Sequence, residues 1–368
     1  MKAKQFIGTG FFFVVLFFLL YALLFFYQLG APVKSYYWIQ HMYQYKDYRA
    51  KSLKGKKILI LSGSNSLFGI NSKLLQEKTG YPVANLAVNG GLDISFLYYK
   101  LREHMSQGDI VVMPLEFQYY TSNSEKFTKE FSDGMMSWGV DYLRHLPYID
   151  LFKFIIAAEP SRVLEGSIEQ FRSGSVNTKV LSQQKVLNSL DKLWREKGIK
   201  WRGYSHKSMN HYGEFIVDKP VKYMKDFAYL DNNITIPPHF LDTYSKIQDF
   251  VKEKGGRLIL TYPVSIKNKE FDLSKKESRQ RVENFETALG EHGIDIYCNA
   301  ALFNLDRIYF FDRPEHTNKY GTLIRSENLA DCLHDIFTGK NTKLPYDKAL
   351  MKVEGLQNKY MDLVKKSN

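Results

Sequence analysis

A regular alternation of buried-strand and helix patterns between residues 57 and 115 restricts this chain to a narrow class of folds. Lys57-Ile-Leu-Ile-Leu-Ser62 is a short apolar run that ends in small residues, as expected of a buried parallel strand that enters a tight turn. The same patterns predict further strands over 83–88 and 109–115, and helices over 70–78 and 94–104. This order predicts an α/β fold with a parallel sheet and right-handed crossovers.

The alternation lapses between about residues 119 and 237. We interpret this span, rich in aromatic residues, serine and lysine, as an insertion, with a separate small domain as the alternative. The α/β pattern returns after Pro237-Pro238, with predicted helices over 240–254, 274–289 and 318–337 and predicted strands over 257–262, 294–298 and 308–311. The α/β domain is therefore predicted to cover residues 56–338, followed by a basic, peripheral tail over 339–368.

The N-terminal stretch from residue 6 to residue 29 is almost wholly apolar and carries no charge. At 1.5 Å per residue, a helix of this length measures about 36 Å, which is enough to cross a bilayer with some tilt. The run ends in Gln28-Leu-Gly-Ala-Pro32 without an A-x-A-like cleavage site, which favours an uncleaved anchor over a secretory signal peptide. We expect a cytoplasmic tip over 1–5, a span over 6–29, and a juxtamembrane linker or short helix over 30–55.

The chain is strongly basic, with 51 lysines and arginines against 39 acidic residues and a net charge of +12. This charge suits a surface that lies near anionic lipid or a polyanionic polymer. Nucleic-acid binding is disfavoured, because the lysines are spread and no known nucleic-acid-binding motif accompanies them. Several basic residues follow the span, namely Lys34, Lys46, Arg49, Lys51, Lys54, Lys56 and Lys57. The positive-inside rule alone would place the large domain in the cytoplasm, whereas the chemistry predicted below favours the outside.

Two cysteines, Cys298 and Cys332, are too few for a disulfide scaffold or a CxxC metal site. We expect two buried free thiols, with an oxidised pair as the alternative in an exporting compartment.

The first predicted strand leads into Ser62-Gly63-Ser64-Asn65-Ser66-Leu67-Phe68-Gly69, at the junction with the first helix. Such a junction directs backbone N–H groups towards one point and suits an anion or oxyanion. A phosphate-binding P-loop is disfavoured, because five residues separate the glycines and Ile70-Asn71 follows. The nucleophile elbow G-x-S-x-G is also absent. A serine-rich helix cap is the structural alternative.

An acid and a histidine lie at the other end of the domain. Asp312 and His316 are predicted to follow the last strand and precede the last helix. A serine needs a base to take its proton, and that base needs an acid to fix its tautomer. Strand ends on one rim of a parallel sheet can bring these distant segments together. A lone histidine that caps a helix is the alternative for His316.

These segments resemble the SGNH/GDSL hydrolase superfamily, and more closely its membrane-anchored, cell-envelope branch of DltD-like and alginate-acetylation-type proteins. The resemblance covers residues 56 to about 338 in motif order, except for the insertion. Ser64 with Asn65 and Gly69 looks like the block that carries the nucleophile. The resemblance implies an SGNH-type three-layer fold, with a parallel sheet flanked by helices.

Two further blocks extend the resemblance. The run from Asn85 to Gly91 is similar to the second block, in which the N–H of a glycine, here Gly90, helps to form the oxyanion hole. Asp312 and His316, followed by Asn318 and Gly321, resemble the last block, which supplies the acid and the base. The implied roles are Ser64 as nucleophile, His316 as general base and acid, and Asp312 as the group that orients His316.

Two departures from the family pattern leave alternatives open. Asp312 precedes His316 by four residues instead of three, and Glu315 is a minor alternative for the acid. The third block has no asparagine for the oxyanion, so Gln118 or Glu116 is a candidate contributor. Otherwise the hole is expected to consist of the N–H groups of Ser64 and Gly90 with Asn65.

Other histidines suggest a metal site at first sight. His206, His211 and the nearby Glu214 match no zinc template such as H-E-x-x-H. We expect surface or packing roles for them, although the segment from Ser205 to Glu214 resembles a pattern in the envelope branch and could form a rim of the substrate cleft.

The resemblance implies serine-dependent transfer of an acyl group, expected to be acetyl, to a cell-envelope polysaccharide through an acyl-Ser64 intermediate. It implies a membrane-bound O-acyltransferase as partner and no cofactor or metal. A membrane-anchored carbohydrate esterase or deacetylase and a non-catalytic envelope assembly protein are the alternatives. The expected location is the cell membrane, with one span and the α/β domain outside the cytoplasm.

Overall fold

Four short strands form a parallel sheet in the order β2-β1-β3-β4. They are β1 Ile58–Ile60, β2 Val83–Asn85, β3 Ile110–Met113 and β4 Arg257–Leu260. Ile58 pairs with Val83 on one side and with Ile110 on the other. All residues of β1, β2 and β3 are buried, which explains why these strands are unbroken apolar runs in the sequence. The predicted mixed α/β fold with a parallel sheet is confirmed, and the SGNH-specific layering stays a prediction.

The computed structural model describes residues 2–121, 127–174, 176–340 and 343–367. The chain divides into two units, one formed by Met1–Gln40 and Lys126–Leu181 and the other by His41–Glu125 and Ser182–Asn368. The span expected as a single insertion over 119–237 is therefore shared between the two units. The four-stranded sheet belongs entirely to the second unit.

The helices in chain order are α1 Lys2–Tyr27, α2 Tyr37–Ser52, α3 Ser64–Gly69, α4 Ser72–Thr79, α5 Ile94–His104, α6 Gln118–Thr121, α7 Lys129–Ser137, α8 Val140–Arg144, α9 Tyr148–Ala157, α10 Pro160–Ser173, α11 Gln183–Lys197, α12 Pro238–Glu253, α13 Lys276–Gly290, α14 Lys319–Phe337 and α15 Tyr346–Ser367. Side chains fix several helix starts. Asn71 accepts a hydrogen bond from Leu74 N at the start of α4, and Asp93 accepts one from Ser95 N at the start of α5. Gly80, with φ 75°, ends α4 in the left-handed conformation that glycine adopts without strain.

Helix α1 contains a segment, Gln5–Tyr27, that is long and apolar enough to cross a membrane. The region predicted as a juxtamembrane linker or short helix contains α2, a helix of 16 residues. In the first unit, α1 is accompanied by α7 to α10.

The late strands differ from the prediction. A separate two-stranded parallel sheet is formed by β5 Ser265–Lys267 and β6 Asn304–Asp306. The run 294–298 makes one isolated parallel bridge, between Thr261 and Tyr297, and Cys298 then has a φ of 71° that ends the extended conformation. The strand predicted over 308–311 is wrong, because Arg307–Tyr309 forms a 3-10 turn.

Cys298 and Cys332 form a disulfide, so the expectation of free thiols is wrong. Their Cα atoms are 5.9 Å apart, within the range that a disulfide requires, and both residues are buried. The bond joins the segment before β6 to helix α14, two elements whose proximity the sequence pattern does not reveal.

The C-terminal tail is a packed helix rather than a peripheral segment. On α15, Ala349, Val353 and Val364 are buried, at intervals that place them along one side of a helix. Gln357 Oε1 also accepts a hydrogen bond from Asp306 N at 2.7 Å. The lysines between these apolar residues conceal the helical pattern in the sequence.

Candidate active site

Ser64 lies just beyond the carboxyl end of β1, at the first position of α3. Its side chain is half-buried, whereas every other residue of α3 is buried. Strand β1 lies between β2 and β3 in the sheet, so its carboxyl end is flanked by the carboxyl ends of two parallel strands. Parallel α/β sheets commonly bind ligands at these carboxyl ends.

His316 and Asp312 are held together by a hydrogen bond of 2.9 Å between Nδ1 and Oδ1. His316 is 2% exposed, and burial lowers the pKa of its imidazole, against the opposing effect of the Asp312 carboxylate. Burial tends to raise the pKa of Asp312, but the hydrogen bond and charge of His316 outweigh it and the net shift is downward. At neutral pH the pair therefore consists of a neutral imidazole and a carboxylate, the state in which a histidine can accept a proton.

Tyr204 is a third member of this cluster, and no sequence motif identifies its role. Its hydroxyl donates to Asp312 Oδ2 at 2.9 Å and lies 3.2 Å from His316 Nδ1. Burial, followed by the charge of Asp312, raises the pKa of the phenol, so the hydroxyl stays a donor. Both oxygens of Asp312 are thus occupied, one by the imidazole and one by the phenol.

Phe68 connects the histidine to the helix that begins at Ser64. The rings of Phe68 and His316 are stacked with centroids 3.9 Å apart and planes 6° apart. Phe68 O also accepts hydrogen bonds from Thr317 Oγ1 at 3.0 Å and Thr322 Oγ1 at 2.6 Å. Because Ser64 precedes Phe68 by four residues, the two side chains share one face of α3. The structure therefore places the Asp312–His316 pair against the helix that begins at Ser64, and among the described residues no hydrogen bond joins Ser64 to His316.

The second ring nitrogen of His316 has no partner among the residues that the structure describes. Nε2 is buried and makes no hydrogen bond there. A buried polar atom without a partner is costly, and such atoms concentrate at functional sites. With Nδ1 fixed by Asp312, this nitrogen is the one available to exchange a proton.

Gly90 lies against the loop that carries Ser64. A Cβ atom placed on Gly63 would lie 2.5 Å from Gly90 Cα. The two backbones are therefore so close that position 63 has no room for a side chain. Gln118 Nε2 donates to Gly90 O at 2.8 Å and holds the Gly90 loop in place. Within the described part of the chain, the backbone N–H groups of Ser64 and Gly90 donate to no protein acceptor.

Asn65 is fully engaged, so the prediction that it donates to an oxyanion is wrong. Its side-chain amide donates to Ser62 Oγ at 2.6 Å and to Pro114 O at 3.0 Å. Its backbone N–H donates to Glu116 Oε1 at 3.0 Å. No N–H group of Asn65 is left for a ligand, and its role is to hold the backbone that follows Ser64.

Glu116 and Arg325 both form hydrogen bonds with Asn65. Glu116 accepts from the backbone N–H of Gly63 and of Asn65, while Arg325 donates through Nη1 to Asn65 O at 2.6 Å and through Nη2 to Asn65 Oδ1. Arg325 is fully buried, and burial lowers the pKa of its guanidinium to about 9, opposed by the charge of Glu116. Glu116, the candidate contributor to the oxyanion hole, instead accepts hydrogen bonds from the backbone on either side of Ser64.

Glu315 does not contact the imidazole Nδ1, which is bonded to Asp312. Burial, followed by the charge of Glu116, raises the pKa of Glu315 to about 7. Asp312, and not Glu315, is therefore the carboxylate that is hydrogen-bonded to His316.

Glu214 is a buried packing residue. Its carboxylate accepts from Ser72 N at 2.9 Å and from Asn210 Nδ2 at 3.2 Å. His206 is buried, and burial, followed by the charge of His41, lowers its pKa to about 4, whereas His211 is exposed. The expectation of packing or surface positions for these residues agrees with this arrangement.

Across the described residues, one group of side chains has the spacing of metal ligands, namely Asp47, Glu103 and His104. The ammonium of Lys100 lies 2.8 Å from Asp47 and also contacts Glu103. The ammonium of Lys100 already pairs with both carboxylates, so the group is an ion-pair network.

Aromatic rings surround the histidine. Trp201 lies beside Phe68, Tyr204, Phe215 and Phe311, with centroid distances of 5.2–5.7 Å. Trp201 is half-buried and Tyr204 is 39% exposed, so part of this cluster faces solvent next to His316.

Comparisons of the chain with protein-family models, with curated proteins and with solved structures found no match.

Proposed function

We propose that this protein catalyses serine-dependent acyl transfer through an acyl-Ser64 intermediate. One observation carries the proposal: His316 is fixed on one side by Asp312 and keeps a buried, unpartnered Nε2 beside the helix that begins at Ser64. A neutral imidazole whose tautomer is set by a carboxylate is the base that a serine hydroxyl needs. Tyr204 acts as a positioning residue through its hydrogen bond to Asp312.

The chemical steps follow from this arrangement. His316 Nε2 takes the proton of Ser64 Oγ while Oγ forms a bond to the acyl carbonyl carbon of the donor. The N–H groups of Ser64 and Gly90 stabilise the resulting oxyanion. When the intermediate collapses, the bond to the leaving group breaks and His316 returns the proton to it. An acceptor hydroxyl then repeats these steps in reverse and takes the acyl group from Ser64.

Two observations support an extracytoplasmic location with a single membrane anchor. Helix α1 is long and apolar enough to span a membrane. The disulfide between Cys298 and Cys332 is typical of proteins that fold in an oxidising compartment. A C-terminal reporter fusion tests this orientation, and a cytoplasmic C-terminus would contradict it.

The proposed acceptor is a hydroxyl group of a cell-envelope polysaccharide, and the proposed acyl group is acetyl. Trp201 and Tyr204 support a sugar acceptor, because partly exposed aromatic rings present flat apolar faces with polar edges beside His316. The proposed donor system is a membrane-bound O-acyltransferase in the same membrane. With water as acceptor, the same three residues would make the protein an esterase.

The first experiment is active-site labelling of the full chain in detergent with a fluorophosphonate probe. Ser64→Ala should abolish labelling, and His316→Ala should slow it by at least ~10²-fold, because a serine without its base is a weak nucleophile. Ser161→Ala, an exposed serine outside the site, is the matched control and should label like the wild type. Labelling of Ser64→Ala at the wild-type rate would refute the proposal.

A second experiment identifies the acceptor. The full chain is incubated with an acetyl ester, with and without envelope oligosaccharides and the membrane-bound acyltransferase. Acetylated sugar whose formation requires Ser64 supports the transferase. Hydrolysis at one rate under all conditions, without acetylated sugar, identifies an esterase.

A further inference from the structure

The end of α1 is packed against α9 and α10 within the first unit. Tyr21 OH donates to Ala158 O at 2.8 Å, just after the end of α9. The rings of Phe25 and Phe154 meet edge to face with centroids 6.2 Å apart. These contacts fix where α9 lies along α1.

A buried hydrogen bond joins α10 to the residue that follows α1. Arg162 Nη1 on α10 donates to Gln28 Oε1 at 2.9 Å, immediately beyond the end of α1. Gly166 makes this approach possible, since a Cβ atom at that position would overlap with Gln28 Oε1 and with Arg162 Nη1. The two helices are thus joined to α1 by specific contacts.

The depth of these contacts follows from the helix rise. Tyr21 precedes Tyr27, the last residue of α1, by six residues, which corresponds to about 9 Å along the axis. The apolar segment Gln5–Tyr27 has 23 residues and measures about 35 Å, slightly more than the roughly 30 Å of a bilayer hydrocarbon core. If α1 spans the membrane symmetrically, the contact between Tyr21 and Ala158 lies roughly 6–7 Å inside the boundary of the hydrocarbon core, a depth that the apolar face of an interfacial helix reaches.

The outer faces of α9 and α10 carry large exposed apolar side chains, which we call the apolar stripe: Tyr148, Ile149, Phe152 and Ile156 on α9, and Leu164, Ile168 and Phe171 on α10. Apart from the adjacent pair Tyr148 and Ile149, these residues recur every three or four positions within each helix and therefore share one face. Tyr148 is 94% exposed and Phe171 is 82% exposed. Helix faces with this many exposed apolar residues are rare on soluble proteins and mark a membrane or protein contact.

Helix α1 also carries large exposed apolar side chains. Phe17 and Phe26 of α1 are 64% and 51% exposed, and α1 belongs to the same unit as the stripe. Lys153 is exposed on α9, between Phe152 and Ile156, where its long side chain can reach lipid phosphates. Helices with large apolar residues on one face and cations beside them bind in the plane of a membrane interface.

We propose that α9 and α10 are interfacial membrane helices whose apolar stripe inserts into the lipid leaflet in which α1 ends. The apolar stripe is thus proposed to contact lipid acyl chains and not another protein. The first unit then acts as a platform that fixes the depth of the protein in the bilayer, in addition to the single span. The inference rests on the membrane insertion of α1, which is part of the proposed function, and not on acyl transfer.

The test measures depth in the full chain. Phe152→Cys and Phe171→Cys are labelled with the fluorophore NBD in vesicles of phosphatidylcholine with one quarter phosphatidylglycerol. Tyr223→Cys is the matched control, an aromatic residue of the second unit that is 88% exposed. The native cysteines are bonded to each other and do not react with the label. Retained fluorophosphonate labelling or an unchanged melting temperature shows that each variant is folded.

We expect iodide to quench the labels at 152 and 171 at least ~3-fold less than the label at 223, and brominated lipid to quench only the first two, as for groups inserted among acyl chains. Equal quenching by iodide at all three positions would overturn the proposal. Protection from iodide without quenching by brominated lipid would also overturn it, because the stripe would then be covered by protein. Resistance to alkaline carbonate extraction shows separately whether α1 is inserted in the membrane. A protein that is extracted lacks the α1 anchor, whereas a protein that resists extraction but shows equal iodide quenching lacks only the insertion of the apolar stripe.

Discussion

Gly69→Ala should destabilise the second unit, because the space beside Gly69 is filled by a buried arginine. A Cβ atom at position 69 would overlap with Arg325 Nη1 and would lie 3.2 Å from its Cδ and 3.4 Å from its Cζ. Gly69 is not in the left-handed conformation, so the added methyl group causes no backbone strain. The effect of the substitution therefore comes from the displaced guanidinium.

The magnitude follows from the contacts that would be lost. Arg325 is fully buried and donates two hydrogen bonds to Asn65. Breaking the pairing of a buried charge costs about 3–5 kcal/mol, while exchanging glycine for alanine in a helix contributes up to about 1 kcal/mol of stability. The net loss should be about 2–4 kcal/mol, which lowers the melting temperature by roughly 3–7 °C for a unit of this size.

The assay is a thermal double-mutant cycle on the full chain in detergent, followed by tryptophan fluorescence. Trp201 reports the second unit, since it lies against Phe68. In an Arg325→Met background the same Gly69→Ala change should be neutral or stabilising by up to about 1 kcal/mol, because the obstructing guanidinium is gone. An equal loss in both backgrounds, or no loss in the wild type, would refute this reasoning.

Three further predictions concern the site and its surroundings. Tyr204→Phe should lower the acyl-transfer rate about 3–10-fold and move the acidic limb of the pH profile to higher pH, because the phenol hydrogen bond lowers the pKa of Asp312. Glu315→Gln should leave stability unchanged near pH 4 and raise it by about 3 kcal/mol at pH 8 in chemical denaturation. A folded-state pKa of about 7 against an ordinary 4.5 makes the wild type lose stability as the pH rises between these values. Replacing Cys298 and Cys332 together by alanine should lower the free energy of unfolding by about 4 kcal/mol, the loop-closure term for a separation of 34 residues, and an unchanged melting temperature would contradict this.

The sheet could be predicted from the sequence because its signals are local. Strands β1, β2 and β3 are buried on both faces and therefore consist of consecutive apolar residues. The late segment 294–298 has the alternating apolar and polar residues typical of a strand. Its backbone path is instead determined by a disulfide and a positive φ at Cys298. Those constraints involve α14, which is distant in sequence.

The site could be predicted only in part for the same reason. Asp312 and His316 are close in sequence, and a turn between them, in which His316 N donates to Arg313 O at 3.1 Å, accompanies their hydrogen bond. Tyr204 is 108 residues away from Asp312, and no local pattern distinguishes it from other tyrosines. Arg325 resembles an exposed residue of a polar helix, because arginine is almost never fully buried unless it is paired.

The separation of Asn65 and Arg325 along the chain, 260 residues, has a consequence for biosynthesis. At about 5–20 residues per second, the ribosome adds Arg325 roughly 13–50 s after Asn65. During that interval Arg325 does not yet support the backbone around Ser64, and His316 is added only shortly before Arg325. A nascent or truncated chain would therefore carry an inert serine, and catalytic competence would arise only once α14 has been synthesised and docked.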